Sequence, residues 1–181
     1  GEFEVYFQPE YSAEDGRPLG LESLIRWRHP ERGIVAPAVF LAMCEDSGLI
    51  LPIGRWVLGE AARYQKRVEQ AGWPEVSVSV NISASQFADP GLVDSLREVV
   101  AANSLRAGAL ECEIPESVVM ADPDFSVKVM TAIRELEAMT VAAGGIVLRY
   151  GGFYGPGTGM APDGEQAAMI RKRQFPLVGN G

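Results

Sequence analysis

Apolar and polar positions along the first 140 residues follow two different periods, and the segments they mark alternate along the chain. Residues 3–7 and 19–27 follow the two-residue period of a strand. Residues 37–47 read as a helix, opened by a proline whose missing N–H costs nothing in a first turn and closed by Gly48. In residues 53–70, Trp56, Val57, Ala61, Tyr64 and Val68 recur at helical spacing, and Gly72 ends the run. Residues 76–82 alternate valine or isoleucine with serine or asparagine, the mark of another strand. Asp89-Pro90 opens a helix to about Ala102, Leu110 to Ile114 is a strand, and Asp122-Pro123 opens a helix to about Met139. Strands separated by helices of this length predict parallel βαβ units and an α/β fold. Periodicity leaves a closed barrel and an open doubly wound sheet equally acceptable.

Composition adds a boundary to this picture. Residues 1–140 hold 22 of the 24 acidic side chains, 12 of the 16 basic ones and 10 of the 20 glycines, a formal charge of −10. Residues 141–181 carry the other 10 glycines with 4 basic and 2 acidic groups, a formal charge of +2. Such a change in glycine density and charge sign predicts two regions, 1–140 and 141–181. The hydrophobic content of 47% is enough for a buried core. The net charge of −8 argues against extended nucleic acid or an acidic membrane surface as partner. Cys44 and Cys112 lack the clustering of a zinc site and read as reduced, buried thiols of a cytoplasmic protein. No run approaches the roughly 20 apolar residues of a membrane span. The start Gly1-Glu2-Phe3 has neither an initiator methionine nor a basic leader, which predicts a piece of something longer.

The candidate chemistry lies at strand ends. In Leu21-Glu22-Ser23-Leu24-Ile25-Arg26-Trp27 the strand period puts Glu22, Leu24 and Arg26 on one face. Asn81 ends its strand on the side of Ser77 and Ser79, and Glu116 follows a strand containing Glu111 and Glu113. Two carboxylates and an amide oxygen from the C-terminal ends of strands form a hard-oxygen set suited to Mg²⁺ or Mn²⁺. The C-terminal end is also where barrel enzymes build their sites. His29, between Arg28 and Pro30, reads as a loop-structuring residue, and Trp27, Trp56 and Trp73 as core or groove packing. The Arg171-Lys172-Arg173 cluster is too short for a nucleic-acid footprint.

Phe7-Gln8-Pro9, the stretch Leu21 to Pro30, Gly33-Ile34-Val35-Ala36-Pro37, Val80-Asn81-Ile82-Ser83 and Glu113-Ile114-Pro115-Glu116-Ser117 resemble, in order and spacing, an EAL domain. The resemblance runs over about residues 3–139. It implies a modified (β/α)8 barrel, here incomplete and followed by a glycine-rich C-terminal extension, and a phosphodiesterase that linearises cyclic di-GMP in bacterial signalling. Carried over residue by residue, it implies Glu22, Asn81 and Glu116 as metal ligands, with Gln8, Leu24 and Arg26 on the dinucleotide. The signature alanine is Ser23, on the face opposite Glu22, and the usual threonine before the last glutamate is Pro115, which removes a donor and fixes φ.

Beyond residue 140 the paired aspartates and catalytic lysine of such a domain have no counterpart. If Gly145-Ile146-Val147-Leu148 takes the place of the next strand, Arg149 and Tyr150 fall where the aspartates belong. A cation there repels a bound metal, at a cost on the order of several kcal/mol in a partly buried site. Residues 145–157 and 171–181 resemble instead a fragment of an extended short-chain dehydrogenase of the NAD-dependent epimerase and dehydratase group. Neither Tyr150 nor Tyr154 has the lysine four residues on that this family pairs with its tyrosine, so the catalytic residue stays unassigned. Three functions are open: an EAL phosphodiesterase impaired in catalysis, a non-catalytic module that binds cyclic di-GMP or a protein, and fused gene fragments. The open edge of a partial barrel also predicts a possible homodimer.

Overall fold

The computed structural model describes residues 1–106, 108–140 and 146–150, with side chains through residue 136 apart from residue 107. Two long strands, β1 (Phe3–Tyr11) and β2 (Pro18–His29), form an antiparallel hairpin. Its turn is closed by Gly16 N–H donating to Ser12 O at 3.0 Å, with Gly16 at φ +69°. β1 runs four residues past the predicted strand because it occupies the sheet edge, where the absent N–H of Pro9 breaks no ladder.

β2 then pairs on its other side with the short β3 (Gly33–Val35) and, in parallel, with β4 (Ser77–Asn81). β5 (Leu110–Ile114) and β6 (Ile146–Tyr150) continue the parallel series, giving the order β1-β2-β4-β5-β6. This is a partial sheet of barrel type, flanked by helices α1 (Pro37–Asp46), α2 (Ile50–Gln70), α3 (Ala84–Phe87), α4 (Leu92–Asn103), α5 (Glu116–Ala121) and α6 (Pro123–Thr140). Among the described residues no helix is long and apolar enough to cross a membrane.

One face of the sheet carries the apolar core. Val78 and Val80 of β4 and Leu110, Cys112 and Ile114 of β5 are buried together with Phe40 of α1, Leu58, Ala61 and Ala62 of α2, Leu96 of α4 and Ile133 of α6. From β1, Phe7 stacks on Tyr64 of α2 with ring centroids 3.7 Å apart, and Phe3 packs at 5.6 Å on Phe40. These contacts fix which side of β1 and β2 faces the helices. The alternate residues Tyr6, Gln8, Glu22, Leu24 and Arg26 are left for the opposite face.

Several expectations shift in detail. α2 begins one turn before residue 53, since Pro52 occupies its first turn, where an unpaired N–H is expected anyway. α4 starts at Leu92 rather than Pro90; Asp89 accepts from Gly91 N–H at 3.0 Å and forms the turn leading into the helix. Asp122 caps α6 as predicted, accepting from Phe125 N–H at 3.0 Å. Trp27 packs against Phe3 and Phe40, whereas Trp73 is half exposed and outside the core. Cys44 and Cys112 are both buried and not joined in a disulfide. At the next-strand position, β6 pairs with β5 so that Arg149 stands opposite Glu113 and Tyr150 opposite Ile114. The glycine-rich stretch 151–181, with most of the motifs expected to resemble a dehydrogenase fragment and the basic cluster at 171–173, lies outside the described residues.

Candidate functional site

Register brings three of the sequence-predicted residues, Gln8, Glu22 and Asn81, into two adjoining rows. Gln8 pairs with Glu22, Glu22 with Ser79, and Ser79 with Glu111, so one row crosses four strands on the face away from the helices. In the next row toward the C-terminal ends, Asn81 pairs with Glu113. Asn81 Nδ2–H donates to Glu22 Oε1 at 2.8 Å, which joins the rows across residues 59 positions apart in the chain. Two of the three expected metal ligands therefore meet.

Glu116 is placed differently. Pro115, at φ −59° and ψ 139°, caps α5 and makes Glu116 its first residue, on exposed surface past the end of β5. Glu113 lies three residues earlier, in register with Asn81 and on its face. The motif in the sequence directs attention to its final glutamate and away from Glu113. The strand period is the signal that could have found Glu113, since Glu111 and Glu113 alternate in phase with Ser79 and Asn81.

The turn into α3 holds Asn81 in position. Ser83 and Gln86 form a reciprocal capping box at α3: Ser83 N–H donates to Gln86 Oε1 at 3.0 Å and Gln86 N–H to Ser83 Oγ at 3.4 Å. The buried Gln86 amide sits against α2 at Gly54, where an added Cβ would lie 1.9 Å from Gln86 Nε2. Glycine at that helical position lets the α3 turn approach α2 and fixes where β4 ends. A cleft of about 350 Å³ opens at these strand ends, lined by Leu24, Ile25, Leu41, Ile53, Asn81 and Pro115 among others.

The cationic part of the face belongs to β2. Arg26 donates from an Nη to its neighbour's Ile25 O at 2.9 Å and places its guanidinium over the Tyr6 ring, 5.8 Å from the centroid. Arg28 makes a bidentate pair with Glu4, at 2.6 and 2.8 Å, which holds the Glu4 carboxyl below its ordinary range. His29 has the loop-structuring place expected of it, its Nδ1 accepting from Glu31 N–H at 3.1 Å and Arg32 N–H at 3.3 Å.

Glu22, Asn81 and Glu113 supply oxygen donors of the kind Mg²⁺ and Mn²⁺ prefer. Ser79 Oγ, in register between Glu22 and Glu111, is buried without a hydrogen-bond partner among the described residues. The residues thus fit a hard cation in chemistry, although no group of three or more His, Cys, Asp or Glu side chains among the described residues stands ready to enclose one.

The match to known proteins covers this same stretch. Residues 1–141 match the family model described as EAL domain. The bifunctional diguanylate cyclase/cyclic di-GMP phosphodiesterase MucR of Pseudomonas aeruginosa is 40% identical over 137 residues, 76% of this chain and 20% of that protein. The cyclic di-GMP phosphodiesterase NbdA of the same organism is 34% identical over 135 residues, 75% of this chain and 17% of that protein. The chain thus spans a fifth or less of the length of these curated relatives. A solved structure of the PaMucR phosphodiesterase in complex with c-di-GMP superposes with a TM-score of 0.69 at 37% identity, covering 80% of this chain and 56% of that one. The FimX EAL domain gives 0.71 at 22% identity over 93% of this chain and 62% of that one, a likeness of fold alone. With its family model matched from residue 1 to 141, the chain belongs to the EAL domain family.

Proposed function

We propose that this chain binds cyclic di-GMP at the C-terminal ends of β2, β4 and β5, on a site derived from the metal-dependent phosphodiesterases of its family, and that its own hydrolytic capacity is impaired. The observation that carries the reading is the Asn81–Glu22 hydrogen bond, in which the Asn81 amide N–H meets the Glu22 carboxylate from the adjacent strand end. Glu22 and Asn81 would hold the Mg²⁺ or Mn²⁺ ion, with Glu113 as third donor on the grounds of register and Glu116 as the residue the family resemblance favours. When bound, a divalent ion neutralises the phosphodiester and acidifies a coordinated water. Arg26 pairs with a phosphate oxygen, Gln8 hydrogen-bonds the dinucleotide, and Leu24 gives it an apolar contact.

Impairment follows from residues rather than from shape. The paired aspartates and the lysine are missing from the 181 residues, and Arg149 stands in β6 opposite Glu113. The dehydrogenase-like reading of 141–181 adds no cofactor site to this proposal. A homodimer closing the sheet edge and a cytoplasmic location belong to it as expectations. Chromatography of cyclic di-GMP incubated with the purified chain and Mn²⁺ tests the reading. The expected result is bound dinucleotide with little linear product, and an affinity lowered about tenfold or more by Glu113→Gln and much less by Glu116→Gln. Rapid turnover would reject impairment, and a larger effect of Glu116→Gln would return the third ligand to that position.

A further inference from the structure

Tyr6 has no part in the assignments above, yet it stands among all three residues expected to touch the dinucleotide. It is the antiparallel partner of Leu24; two residues on, Gln8 faces Glu22, and two residues back, Glu4 faces Arg26. Directly opposed and diagonal neighbours on one face of an antiparallel pair lie within reach of an aromatic ring. A ligand contacting Gln8, Leu24 and Arg26 together must therefore pass over Tyr6.

The ring is available for such a contact. Phe3 and Phe7, in the opposite strand phase on the helix side, pack their rings on Phe40 and Tyr64, whereas Tyr6 keeps 45% of its surface exposed. The Arg26 guanidinium lies over the ring, 5.8 Å from its centroid. A cation on an aromatic face orients both groups and leaves the rest of the π surface for a second planar partner. Purine bases are such partners, and Arg–aromatic pairs recur where bases stack without reading their edges.

We infer that Tyr6 is a base-stacking residue, holding one purine ring of the ligand while Arg26 bridges from the phenol ring to a phosphate oxygen. The inference rests on the reading that this chain binds cyclic di-GMP. It adds a chemical requirement, a flat π surface at position 6, that is met by tyrosine or phenylalanine and not by an aliphatic side chain of similar bulk. Because a stack reads no base edge, it contributes comparably to cyclic di-GMP and cyclic di-AMP and leaves the choice between them to other residues.

Calorimetric titration of the intact chain and its Tyr6→Phe, Tyr6→Leu and Arg26→Ala variants with cyclic di-GMP in Mg²⁺ tests this. The expected result is wild-type affinity for Tyr6→Phe and a loss of about 5- to 150-fold for Tyr6→Leu, the span of one base–aromatic stack. Inorganic phosphate, which has no base, should bind Tyr6→Leu and the wild type alike. Equal affinity of Tyr6→Leu and the wild type for the dinucleotide would overturn the stacking role while leaving the binding reading intact. Loss in Tyr6→Phe as large as in Tyr6→Leu would assign the contact to the hydroxyl and overturn it too. No binding by the wild type at all would remove the binding reading and the stack with it.

Discussion

Asn81 donates from Nδ2 to Glu22 Oε1 at 2.8 Å, so the amide at the end of β4 approaches the β2 carboxylate through its N–H and not through its oxygen. A carboxylate at position 81 would replace this charge-assisted bond with repulsion between two anions that a divalent ion could relieve. Asn81→Asp should therefore lower the stability of the metal-free chain by about 1 kcal/mol, the loss of one hydrogen bond at a partly exposed site. Addition of Mn²⁺ should raise its melting temperature by more than that of the wild type. Differential scanning calorimetry with and without Mn²⁺ measures both effects, and an Asn81→Asp chain indifferent to Mn²⁺ would show that no ion is held here.

Gly54 gives a test of how the end of β4 is positioned. Alanine in an exposed helix interior gains about 1 kcal/mol over glycine. At this position the new Cβ would fall 1.9 Å from Gln86 Nε2 and 2.8 Å from its Cδ, and Gln86 cannot swing away without breaking the capping box with Ser83. Gly54→Ala should thus destabilise the chain by about 1–3 kcal/mol in urea unfolding, the usual range for overpacking. Adding Gln86→Ala should return part of that loss, since the obstructing amide is then gone.

The Glu4–Arg28 pair sets a pH dependence with a defined sign. Arg28 lowers the Glu4 pKa from its ordinary 4.5 in the folded chain, chiefly through its hydrogen bonds. The unfolded state then binds the proton more readily, so the contribution is in place above pH 4.5 and disappears as pH falls through the lowered folded value. Both groups are solvent-exposed, and salt screens them. Thermal melts of wild type and Glu4→Gln should differ slightly at pH 6, converge toward pH 3, and converge at every pH in 1 M salt. A difference that widened on acidification would contradict this sign.

Much of the scaffold could be read from the sequence, and the exceptions share a cause. β5 is expected at Leu110–Ile114 and lies there, and Asp122-Pro123 marks the start of α6, because a full strand period and a cap followed by a first-turn proline are local signals. β3, α3 and α5 are too short to show a period. The Ser83-x-x-Gln86 capping box is nonetheless a sequence-level signal for α3. The site divides along the same line. Alternation alone puts Glu22, Leu24 and Arg26 on one face, whereas the Asn81–Glu22 contact and the Asn81–Glu113 register depend on how distant strands align. The exposure of Tyr6 depends on which face the helices cover, and only the packing of Phe3 and Phe7 fixes that.

The proposed function requires the strand ends around Glu22 and Asn81 to form a metal-supported cyclic di-GMP site. Isothermal titration with cyclic di-GMP, run on the wild type and on Glu22→Gln in Mg²⁺ and again after chelation by EDTA, tests it most directly. The expected result is saturable binding by the wild type in Mg²⁺, weakened about tenfold or more by EDTA and to a similar degree by Glu22→Gln. Binding unchanged by both EDTA and Glu22→Gln, or no binding in Mg²⁺ at all, would contradict it.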